Sequence, residues 1–122
     1  MYGTLSAHQR WDHMPATPTH ASAEYAEIFG AVMYALRLAD GTIKIGITGN
    51  LHKRLMSYRA AVGENPDLLA IKQGTHADEQ AIHRQLTDHV KHGREWYHPH
   101  AEVLAIVNDW RADLNMEPLP IP

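Results

Sequence analysis

The chain has 122 residues, 44% of them apolar and 20% charged, with a formal charge of −3 and no cysteine. That length supports one domain with a single core, and the composition is that of a folded chain rather than a disordered one. The lack of cysteine excludes disulfide frameworks and thiolate zinc sites, and the negative charge argues against an indiscriminate nucleic-acid coat.

Residues 1–22 include Pro15 and Pro18 and show no sustained periodicity, so they read as an amino-terminal arm with little structure of its own. The arm never builds an uninterrupted apolar run. The expectation is a cytoplasmic protein with neither an export signal nor a membrane span. Ser22 followed by Ala23 to Phe29 and then Gly30 predicts a short capped accessory helix over 23–29.

Val32 to Leu38 and Thr42 to Ile47 are strand-like runs separated by Ala39-Asp40-Gly41, a hairpin signal. Ile43, Ile45 and Ile47 share one face of the second run, with Thr42, Lys44 and Gly46 on the other. Loop length sets which residues meet across the hairpin. A two-residue turn would pair Arg37 with Lys44 and put Tyr34 on the opposite face from Lys44. A three-residue loop would pair Leu36 with Lys44 and Tyr34 with Gly46. The second is preferred, because a type I turn followed by a left-handed Gly is the common three-residue solution.

Asn50 is suited to cap a helix in which Leu51, Leu55, Tyr58 and Val62 recur on one stripe before Gly63 ends it. Leu68 to Ile71 predict a third strand ending at Gly74. Thr75 and Asp78 then form a capping-box-like start to a helix running to about Val90. A last helix is expected from near Pro99, with Val103, Val107, Trp110 and Leu114 on its stripe. Residues 117–122, with Pro118, Pro120 and Pro122, cannot continue it. The fold class is therefore α/β (α+β), a small three-stranded, mainly antiparallel sheet flanked by helices in the order β-β-α-β-α-α. It forms a single domain over 23–116 with a Pro-rich tail.

Chemistry-bearing residues stand out at three places. In the preferred register Tyr34 and Lys44 are diagonal neighbours, roughly 7–8 Å apart at the backbone, and Gly46 opposite Tyr34 leaves a hollow that admits a phosphate. Between Val32 and Arg59 the charges are Arg37, Lys44, Lys53, Arg54 and Arg59 against Asp40 alone, so this segment is suited to face phosphate. Solvated surface cations are the commoner meaning of such a run. Within it, the Arg54 guanidinium is suited to make paired hydrogen bonds to a phosphate and to offset charge in a transition state.

The third place is Glu79, which follows the inward stripe of its helix with Ile82, His83, Leu86 and Val90. A carboxylate facing a core is costly unless paired or metal-bound, although one in a first helical turn is also favoured by the helix dipole. His89, His92, His98 and His100 crowd around Gly93-Arg94-Glu95, but spacing without cysteine is a weak zinc signal. Glu95-Trp96-Tyr97 reads as packing, with Trp96 as a core anchor.

Val32-Met33-Tyr34, then Lys44-Ile45-Gly46, then Asn50 to Leu55 resemble the first two motifs and the arginine helix of the GIY-YIG nuclease superfamily. Glu79 with His83, followed by Gly93-Arg94-Glu95-Trp96-Tyr97, is similar to a phage and fungal branch that has KIG in place of YIG, where this last segment lies near the active site. The resemblance implies a metal-dependent endonuclease hydrolysing DNA phosphodiester bonds, with one Mg²⁺ or Mn²⁺ held by Glu79. It also implies Arg54 on phosphate and Tyr34 positioning or deprotonating water. Lys44 stands where most of the family has its second tyrosine. Gly46, Lys53, Arg59 and His83 are the expected substrate contacts.

Two function classes follow. One is the nuclease, with DNA as its partner. The other keeps the fold as a DNA- or protein-binding regulator, supported by the missing second tyrosine. In either case a domain of net negative charge binds duplex DNA weakly by itself, so a protein partner or a homodimer is expected.

Overall fold

The computed structural model describes residues 31–122; the arm and the accessory helix expected over 1–29 lie outside them. Among the described residues the elements are β1 (Val32–Arg37), β2 (Ile43–Thr48), α1 (Leu51–Val62), β3 (Asp67–Gln73), α2 (His76–Gln85), β4 (Val90–His92), β5 (Trp96–Tyr97) and α3 (Ala101–Asp113). The sheet is antiparallel throughout, with strands ordered β3-β1-β2-β5-β4. The mixed α+β class stands, but the sheet has five strands rather than three. β4 and β5, at three and two residues, are too short to display an alternating pattern.

The hairpin has the three-residue loop. Leu36 pairs with Lys44 and Tyr34 with Gly46. Leu38 and Thr42 close the loop at 2.9 Å, and Gly41 supplies the positive φ of 91° that the turn requires. Asp40 accepts the Thr42 N–H at 2.9 Å and the Lys91 ammonium at 3.0 Å. Its hydrogen bonds to Thr42, then Lys91, hold this carboxyl well below the usual carboxylate range. β4 is thus fastened to the hairpin tip.

The Asn50 side chain caps α1 by accepting the Lys53 N–H at 3.0 Å, and Gly63, at φ 77°, ends the helix. Leu51 is buried and Leu55 and Tyr58 are partly so, but Val62 is 46% exposed. The last turn of the expected stripe therefore lies off the core. Thr75 and Asp78 form the capping box of α2. That helix stops at Gln85 instead of reaching Val90. The Thr87 hydroxyl bonds back to the carbonyls of His83 and Arg84 at 3.1 and 3.0 Å, a 3₁₀ turn follows over Thr87–His89, and Val90 is drawn into pairing with Tyr97.

α3 begins at Ala101, not at Pro99, because the His100 imidazole takes the cap position and accepts the Glu102 N–H at 3.1 Å. Its stripe of Val103, Val107, Trp110 and Leu114 is buried as expected. The Pro-rich tail turns back along this helix. Leu119 exchanges two hydrogen bonds with the Asn108 amide, at 2.7 and 3.0 Å, and packs on the core. Arg111 ties α3 to β3 through the Leu69 carbonyl at 2.7 Å.

β2 is buried on both faces. Ile43, Ile45 and Ile47 enter the core, as alternation requires, while Thr42 and Lys44 are 2% and 5% exposed on the other side. The hollow expected over Gly46 is filled by Tyr34 itself. A Cβ added at Gly46 would lie 2.6 Å from the Tyr34 Oη and 2.7 Å from Cζ. Glycine here lets the phenol lie flat across β2. Gly46→Ala is expected to displace Tyr34 and to cost about 1–3 kcal/mol, measured as a fall in the urea unfolding midpoint.

Candidate active site

Five of the residues expected from sequence, Tyr34, Lys44, Arg54, Glu79 and His83, become parts of one contact cluster. Arg54, projecting from α1, donates to the Tyr34 hydroxyl of β1 at 3.2 Å. That hydroxyl also bonds Tyr58, one helical turn beyond Arg54, at 3.0 Å. The Tyr58 ring packs edge-on against Trp96, with centroids 5.8 Å apart. Lys44 lies against both rings, its ammonium 5.0 Å from the Trp96 centroid and 5.7 Å from that of Tyr58. The same ammonium donates to Glu95 in an ion pair. Glu95 in turn stands beside Glu79 and His83, the three groups each offering an atom within 4.8 Å of the others.

Glu79 is 7% exposed, with one oxygen 3.6 Å from His83 Nε2 and the other 3.7 Å from the exposed His76. The first turn of α2 therefore carries a buried carboxylate, not a solvated one. It opens on a groove of about 730 Å³ that Glu79, His83 and Glu95 line together with Arg84 and Arg94. The donor set fits a divalent cation. It contains two carboxylates and an imidazole, and His83 Nε2 is a buried nitrogen without a hydrogen-bond partner.

Tyr34 is fully buried. Burial, followed by the bond to Tyr58, pushes its phenol well above the ordinary value, although Arg54 pulls the other way. At neutral pH it holds its proton. Tyr97 is pushed up to about 12, by burial and then by Glu95 and Glu79. Trp96 is half-buried over Lys44, whereas Tyr97 is fully enclosed, so the core anchor expected at Trp96 is Tyr97.

Other expected contacts are placed differently. Lys53 and Arg59 are exposed on α1, and among the described residues neither joins the cluster. Gly46 lies beneath the Tyr34 ring. His83 does face the groove. Of the four crowded histidines, His89 and His100 stack at 3.8 Å with Glu102 beside them, while His92 stacks on Trp96. Sequence reasoning reads Tyr58 as packing and gives Glu95 no role of its own, although the resemblance puts its segment near the active site. Tyr58 had a signal, since it lies four residues after Arg54 on the same helical face. Glu95 had none in spacing, because its place beside Lys44 comes from the pairing of β5 with β2.

The fold and cluster belong to a small α+β module. The family model described as the T5orf172 domain matches residues 31–111, and the chain belongs to this phage-associated family, which suggests a phage-related nuclease-like or DNA-binding module. No match was found among curated proteins or solved structures. Among the described residues no helix is long and apolar enough to cross a membrane.

Two outcomes test the site. Glu95→Gln removes the counter-charge of a buried lysine and is expected to cost about 1–3 kcal/mol, with Lys44→Met recovering part of this in a double-mutant cycle of unfolding free energies. The tyrosine values give a sign with pH. Both folded values lie above the unfolded value of about 10, so their contribution to stability is complete below that pH and is lost as pH rises through the folded values. A spectrophotometric titration should show two of the five tyrosines ionising late. Tyr34→Phe should remove one of them.

Proposed function

We propose that the protein is a metal-dependent DNA endonuclease of the GIY-YIG type, using Mg²⁺ or Mn²⁺ at Glu79. The observation that supports it is the continuous contact chain from Arg54 through Tyr34, Tyr58, Lys44 and Glu95 to Glu79, which joins a phosphate-binding guanidinium to a buried carboxylate. A bound divalent cation would supply Lewis-acid stabilisation of the phosphodiester or its leaving oxygen.

The chain's own groups have distinct tasks in this reading. Arg54 spends one N–H on Tyr34 and keeps others for a phosphate oxygen, where they offset the negative charge that builds up during attack. Tyr34, fully buried and protonated, holds Arg54 and Tyr58 in place through its hydroxyl. Tyr58 supplies a second phenol from α1, beside the strand position where Lys44 replaces the family's second tyrosine. Lys44, fixed between Trp96 and Glu95, aligns the nucleophile. Arg84 and Arg94 on the groove wall are placed to meet flanking phosphates.

A second reading, a non-cleaving DNA- or protein-binding regulator, is favoured by one observation. Lys44 is committed to Glu95, and Tyr34 is held protonated, so neither is a free base. Incubation of supercoiled plasmid with Mg²⁺ or Mn²⁺ separates the two. The nuclease reading expects metal-dependent nicking that falls about 10²–10³-fold in Arg54→Ala and in Glu79→Ala while both variants keep their circular-dichroism spectra. Nicking that survives Glu79→Ala would sink the assignment of the metal ligand. No nicking by a folded protein that binds DNA or a protein partner would favour the regulator.

A further inference from the structure

His83 has one nitrogen whose bonding is complete and one whose bonding is not. Its Nδ1 contacts the Tyr97 hydroxyl. That hydroxyl has a single hydrogen, and it donates it to the Arg94 carbonyl at 3.0 Å. With its hydrogen on the Arg94 carbonyl, the phenol oxygen accepts from Nδ1–H, the tautomer that the hydrogen-bond network assigns. In the neutral imidazole Nε2 then carries a bare lone pair. This atom is buried, has no hydrogen-bond partner, and faces Glu79 Oε2 at 3.6 Å.

Glu95 brings a third electron-rich group within 4.8 Å of the other two while its Oε2 serves Lys44. Lone pairs converging from an imidazole and two carboxylates repel each other unless a cation lies between them. The outer support is also of the kind that ligating histidines have. The ring N–H is fixed by a group that is itself anchored, here a fully buried tyrosine bonded to a backbone carbonyl. The His83 and Tyr97 rings lie 14° from parallel, which holds the imidazole in orientation.

We propose that Glu79, His83 and Glu95 form a three-ligand nitrogen and oxygen centre for one divalent transition-metal ion, with Mn²⁺ favoured over Mg²⁺ and Tyr97 as the residue that positions the imidazole. This rests on the reading of Glu79 as a metal ligand and adds two ligands and a metal preference to it. Mg²⁺ prefers an all-oxygen octahedron and gives up water reluctantly, whereas an imidazole ligand raises affinity along the series from Mn²⁺ towards Zn²⁺. Glu79 and Glu95 together would offset part of the charge of the ion and of Lys44. Glu95 would serve both the ion and Lys44.

The test uses the full chain without DNA and with the metal alone. Calorimetric titrations with MnCl₂ and with MgCl₂ should show Mn²⁺ bound about tenfold or more tightly. Pulsed electron paramagnetic resonance of the Mn²⁺ form should show modulation from a directly bonded nitrogen. His83→Ala should abolish the nitrogen signal and most of the preference. Tyr97→Phe, which keeps the ring, should fold normally and weaken Mn²⁺ binding about 10–100-fold. Mn²⁺ bound without nitrogen modulation, or no Mn²⁺ binding at all, would overturn the centre. The two readings separate cleanly. Nitrogen coupling without plasmid nicking upholds the centre and defeats the nuclease, while Mg²⁺-dependent nicking without nitrogen coupling does the reverse.

Discussion

A lysine that is 5% exposed must keep a counter-charge, and the architecture around β2 is organised by that requirement. Lys44 meets it with Glu95, the residue immediately before the two-residue strand β5. The Ile45 N–H donates to the Glu95 carbonyl at 3.1 Å, so backbone and side chain fasten the same residue to β2. Once β5 is held there, Tyr97 is driven into the core, Trp96 covers the ammonium, and β4 follows as the outermost strand. The ion pair thereby draws Glu95 to Glu79 and His83, which α2 delivers independently through its capping box.

The hairpin loop sets the other half of the site. A loop one residue shorter would have turned Lys44 to the face opposite Tyr34. With three residues, Tyr34 lies across Gly46 and reaches Arg54 and Tyr58 on α1. These contacts remove the phenol from water and from use as a base at neutral pH, which leaves it the work of orienting Arg54 and Tyr58. The two halves meet at Tyr58, whose hydroxyl touches Tyr34 and whose ring faces Lys44 and Trp96. A second phenol is thus present beside β2 although the strand itself carries lysine.

Ala39-Asp40-Gly41 was readable as a hairpin loop, Asn50 and Thr75 as helix starts and Gly63 as a stop, because each acts through hydrogen bonds or dihedral limits within a few residues of itself. The stripe on α3 was equally plain, since helical periodicity places Val103, Val107, Trp110 and Leu114 on one side wherever the helix packs. For the same reason Tyr34, Lys44 and Arg54 could be picked out as a group: strand register and one short connection relate them. Long-range contacts made the remaining choices. They built β4 and β5 from five residues with no periodic signal, exchanged Trp96 for Tyr97 as the buried anchor, filled the space over Gly46 with Tyr34, and brought Glu95 to Lys44 from 51 residues away. Local chemistry is written in neighbouring residues, whereas the partner of a buried charge is whichever distant group the closing sheet sets beside it.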